Sequence, residues 1–219
     1  MRTLLLTALI LIALPFAAMA ESTISCHCFQ DRTYDHTDKS AADPFFLATA
    51  QNSLIAAIYG ADKRDLVKAR MSGISDIWLW ILHDLTVRSG KQPGEISDLY
   101  ATHGNWPAVI DTLNLTPQQL DEPYRNKATN PELLADHIFD LQLIRYFRVD
   151  PADLAVWRDR GMNRKELILA LLLDGDPVET YNKILSKMAT WGELLAAKEL
   201  ADGKAIARAL TAITTGESG

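Results

Sequence analysis

The run C-H-C-F-Q-D-R-T-Y-D-H, Cys26 to His36, is the densest chemistry in the chain. It holds both cysteines, two of the five histidines and two aspartates. Thiolate and imidazole suit soft or borderline metals, so Cys26, His27, Cys28 and His36 are candidate ligands for Zn(II) or Cu(I). The spacing departs from structural zinc sites, which use C-x2–4-C, and adjacent Cys-His-Cys ligands reach one ion only on a twisted backbone. The same thiols can instead pair as a Cys26–Cys28 disulfide. A C-x-C ring is small and strained, and strained disulfides exchange readily. A third reading is a structural one, a cystine or thiol pair that ties this segment to the rest of the protein. No C-x-x-C-H is present, which excludes covalent c-type haem at the cluster.

The other histidines are weaker candidates. His83-Asp84 and Asp136-His137 resemble acid–base pairs, but neighbours on a helix do not face each other, so neither pair is a dyad. A helical enzyme with its site near His83 or His137 would need a polar pocket there. His103 precedes Gly104-Asn105 and reads as a turn residue. Nucleophile, zincin, P-loop and dinucleotide motifs are all missing from the sequence. Asp174-Gly175-Asp176 lacks the twelve-residue calcium loop and reads as a helix end. Trp78, Trp80, Trp106, Trp157 and Trp191, with Phe45, Phe46, Tyr59 and Phe139, fill a core or line a ligand pocket. Aromatics at helical spacing more often do the former.

Residues 1–20 have the form of a secretory leader. Arg2 is followed by an aliphatic run to Leu14, then Pro15, with Ala18 and Ala20 at the −3 and −1 positions. Cleavage would start the mature chain at Glu21 and remove one of the 22 basic residues and none of the 28 acidic ones, leaving a net charge of −7. An acidic exported chain is a poor partner for nucleic acid, even though Gly90 to Leu115 has a helix–turn–helix outline. After cleavage no run is long enough to span a bilayer.

Residues 21–42 are polar, lack helical periodicity and read as an extended arm carrying the cysteines. From Asp43 the pattern is helical. A capping residue before proline recurs at Asp43-Pro44, Thr116-Pro117, Asn130-Pro131, Asp150-Pro151 and Asp176-Pro177. Capping boxes stand at Thr116/Gln119, Asn163/Glu166 and Thr190/Glu193. Ser75 to Val87 is apolar almost all round and belongs inside a bundle. No segment alternates as a strand does.

The expected protein is all-α, a multi-helix globular domain over 43–213 with ten to twelve helices, many of them short. An extended N-terminal arm precedes it and a frayed tail follows at 214–219. The expected function is a non-catalytic exported module, periplasmic or extracellular, that binds a protein partner or small ligand. The alternative is a thiol-based metal-binding or redox protein using the cysteine cluster.

Overall fold

The computed structural model describes residues 35–216. Asp38 opens the first helix, its carboxylate accepting the Ser40 amide at 3.0 Å, and α1 then runs Lys39–Tyr59. There follow α2 (Lys63–Met71), α3 (Asp76–Ser89), α4 (Pro93–His103), α5 (Trp106–Leu113) and α6 (Glu122–Lys127). Next come α7 (Pro131–Gln142), prolonged by a π-turn over Leu143–Phe147, then α8 (Pro151–Asp159) and α9 (Arg164–Leu172). The last three are α10 (Pro177–Leu185), α11 (Trp191–Ala196) and α12 (Gly203–Thr215). The described residues contain no strand, and none of their helices is long and apolar enough to cross a membrane.

Most ends are where side-chain chemistry puts them. Ser75, Asn105, Asn130, Asp150, Asn163, Asp176 and Thr190 each cap the helix that follows with a side-chain oxygen. The Asn163/Glu166 and Thr190/Glu193 capping boxes form in full. Gly90 ends α3 at φ +68°, a left-handed conformation that side chains resist.

Two of the five proline starts differ. Pro44 is not the first residue of α1 but lies inside it, and the helix begins at Lys39, so residues 39–42 of the expected arm are helical. Asp43, expected as the cap of α1, instead reaches across to α11, where its Oδ1 accepts the Gly192 amide at 3.0 Å. Burial raises the Asp43 pKa, against the pull of hydrogen bonds from the Gly192 and Trp191 amides. Thr116-Pro117 makes only a turn, closed by Gln119, and α6 starts after Asp121. At the C-terminus α12 continues to Thr215, into the expected tail.

The helix apolar all round, α3, is buried at Leu79, Trp80, Ile81, Leu82 and Leu85 and packs on α7, α4 and α1. The helix with the most neighbours is α1, which meets α12, α9, α11, α2 and α3. Its buried positions mix Phe45, Phe46, Leu54 and Ile55 with Thr49, Gln51, Asn52 and Ser53, so its letters hide its centrality. A small residue lets α12 approach closely: a Cβ on Gly203 would lie 3.4 Å from the Phe45 ring.

Candidate functional site

One face of α3 carries Trp78, Leu79, Leu82, His83 and Thr86, a stripe at helical spacing. These side chains floor a groove of about 700 Å³. Tyr59 closes one side from the end of α1. Asp62, Asp65, Leu66 and Ala69 come from the start and inner face of α2, and Gln92, Pro93 and Ser97 from the first turns of α4. The volume is that of a typical small-molecule site.

Fixed contacts hold the walls in place. At the start of α3, Asp76 forms ion pairs with Arg70 of α2 at 2.7 Å and Lys165 of α9 at 2.6 Å. Burial disfavours the Asp76 anion, but the Lys165 and Arg70 charges outweigh it and lower its pKa. Lys63 of α2 donates to Ser53 Oγ of α1 at 2.8 Å.

Inside the groove the polar groups are few. His83 is half-buried, and burial alone lowers its pKa, which favours the neutral imidazole. The Tyr59 ring stacks on it, 6.2 Å between centroids and 21° from parallel. Thr86 Oγ1 is buried without a hydrogen-bond partner among the described residues.

The next residue faces the other way. Asp84 is 3 % exposed and accepts from Arg88 Nε at 2.5 Å, Tyr124 Oη at 2.9 Å and Tyr59 Oη at 3.3 Å. Arg88 also donates to the Gln119 carbonyl, and Gln119 Nε2 donates back to the Arg88 carbonyl at 2.8 Å. The Arg88 guanidinium lies over the Tyr124 ring, 4.9 Å from its centroid. Burial, reinforced by the Asp84 charge, pushes both tyrosine hydroxyls well above their usual pKa. A carboxylate with three donors, one of them a guanidinium, is a structural anchor and not a general base.

His137 and His103 are held in surface and inter-helix contacts. His137 Nε2 lies 3.1 Å from Asp121 Oδ1, and that oxygen also caps α6 through the Tyr124 amide at 2.7 Å. His103 Nε2 lies 3.1 Å from Thr112 Oγ1 on α5. Neither lines the groove on α3.

Of the four candidate metal ligands only His36 is described; Cys26, His27, Cys28 and the disulfide expected between the cysteines lie outside the described residues. His36 is exposed, and its backbone packs so closely on α11 that a Cβ on Gly192 would sit 2.2 Å from the His36 carbonyl oxygen. Among the described residues no group of three His, Cys, Asp or Glu is placed to hold a metal ion. Of the tryptophans, Trp80, Trp106, Trp157 and Trp191 are buried, whereas Trp78 lines the groove.

No family model, no curated protein and no solved structure matches the chain. Function therefore rests on the site geometry alone. The groove was missed in the sequence because its walls come from four helices, and only the α3 stripe is continuous enough to read.

Proposed function

We propose that this protein is an exported, non-catalytic helical binding module whose small, largely apolar ligand sits in the groove between α1, α2, α3 and α4. The observation that carries the reading is the groove itself: about 700 Å³, walled mainly by Leu66, Ile74, Trp78, Leu79 and Leu82, with the His83 imidazole among them. Ligand sites are commonly of this size, mainly apolar, with a few polar groups that fix orientation. Catalysis by His83 would need a base or acid partner beside it; the nearest carboxylate in sequence, Asp84, is committed elsewhere. Export follows from the leader-like residues 1–20, and processing before Glu21 would release the module outside the cytoplasm.

The test is titration of the mature protein with the neutral dye Nile red. Saturable one-to-one emission enhancement is expected. Ala69→Phe, which fills the groove from α2, should weaken binding at least about tenfold, equivalent to about 1.4 kcal/mol, with the thermal midpoint retained. Ser97→Phe fills it from α4 and serves if the first variant folds poorly. Dye binding unchanged in a folded plug variant would refute the site. Export is checked by the intact mass of protein from the exported fraction, expected to begin at Glu21.

A further inference from the structure

We infer that Tyr59 is the positioning residue of this groove, held in the wall by the Asp84 network on the other side of α3. The inference rests on the groove being a binding site and adds what sets its shape. Tyr59 is the last residue of α1, and Gly60 ends that helix at φ +66°. Gly60, Ala61 and Asp62 then lead into α2 as part of the same wall. A helical side chain is covered by the turn that follows it, and no turn of α1 follows Tyr59. Contacts with α3 must therefore place its ring.

Those contacts are of two kinds. The ring stacks on His83 and meets the Trp80 ring edge-on, 6.1 Å between centroids and 74° apart. Apolar ring contacts are non-directional and let a ring slide. The hydroxyl supplies the directional contact, donating to Asp84 Oδ1 at 3.3 Å.

The two oxygens of Asp84 divide the work. Oδ2 accepts from Arg88 Nε and from Tyr124 Oη, which pins the carboxylate between α3 and α6. Oδ1 is the oxygen that Tyr59 uses, so a wall residue hangs on an acceptor that two other groups already fix. Burial and the Asp84 charge keep the hydroxyl protonated, so it remains a donor. The rigidity of the sealed side thus reaches the open side through one hydroxyl. Without it the ring is free to change rotamer toward Leu66, Leu79 and Leu82. A ligand would then have to order the wall as it binds, which weakens binding.

Nile red titration and the imidazole proton–carbon spectrum of the mature parent, Tyr59→Phe and Tyr124→Phe test this. Both variants keep the ring and remove one donor from Asp84, but only Tyr59 lines the groove. Tyr59→Phe should weaken dye binding at least about fivefold, with Tyr124→Phe within about twofold of the parent. In the ligand-free protein Tyr59→Phe should move the His83 resonances and Tyr124→Phe should leave them in place. Dye affinity unchanged in Tyr59→Phe, or lowered equally in both variants, overturns the inference and leaves the groove as a site. If the parent does not bind the dye, the binding-site reading falls; His83 resonances unmoved in Tyr59→Phe would then overturn the placing of the wall by the hydroxyl as well, and their movement would uphold it.

Discussion

His83 and Asp84 are neighbours in sequence and differ in almost every other respect. Asp84 sits on the sealed side of α3, where Arg88, Tyr59 and Tyr124 converge on its two oxygens. His83 sits on the open side, where its ring meets the face of Tyr59 and a groove. Tyr59 serves both sides, with its hydroxyl on Asp84 and its ring on His83. The contrast separates two uses of polar groups within one helix. A buried charge with every partner in place fixes helices to one another, and an uncharged polar group in an apolar groove is what a ligand site requires.

The largest expected effect is on the sealed side. Asp84→Ala leaves Arg88 Nε and two tyrosine hydroxyls without their acceptor, and breaking a buried ion pair from one end costs about 3–5 kcal/mol. Urea unfolding should show that loss, and a loss below about 1 kcal/mol would mean the network is not an anchor. Tyr124→Phe removes one donor from a buried carboxylate and should cost about 1–3 kcal/mol by the same measurement.

On the open side the effects are smaller and depend on pH. The folded pKa of His83 lies below its ordinary value, so between the two values the unfolded chain binds more protons than the folded one. Stability is therefore fully present above the ordinary histidine pKa of about 6.5 and falls as pH drops through the folded value. His83→Gln should flatten that acid-side slope relative to the parent, the other histidines being common to both. Parallel slopes would contradict the assignment of His83 as desolvated. Smallest of all, Thr86→Val removes a buried hydroxyl that has no partner among the described residues. Stability should stay within about 0.5 kcal/mol of the parent or rise. A larger loss would reveal a partner on that face.

The helices were legible because their start signals are local. Ser75, Asn130 and Asp150 cap within three residues of themselves, and no later packing overrides them. The start of α1 was not legible, because Asp43-Pro44 carries the same letters as a true start. Asp38 supplies a competing cap, and Asp43 is drawn to the α11 amides far along the chain. That His83 and Asp84 are no dyad followed from helix geometry, which turns neighbours apart. Their actual surroundings did not follow: Tyr59 and Tyr124 reach Asp84 from α1 and α6, across separations that periodicity does not encode. For the same reason Trp78 looked like its buried counterparts until α2 and α4 were placed around it.

Each face of α3 has a histidine reporter. His83 lines the groove, and His137 lies against Tyr124, with ring centroids 6.2 Å apart, beside the Asp84 network. The decisive measurement is the proton–carbon correlation spectrum of the imidazole rings during titration with Nile red. Saturable movement of the His83 resonance with His137 unmoved is the expected result. Movement of His137 alone, of both together, or of neither would contradict a ligand site on the open face of α3.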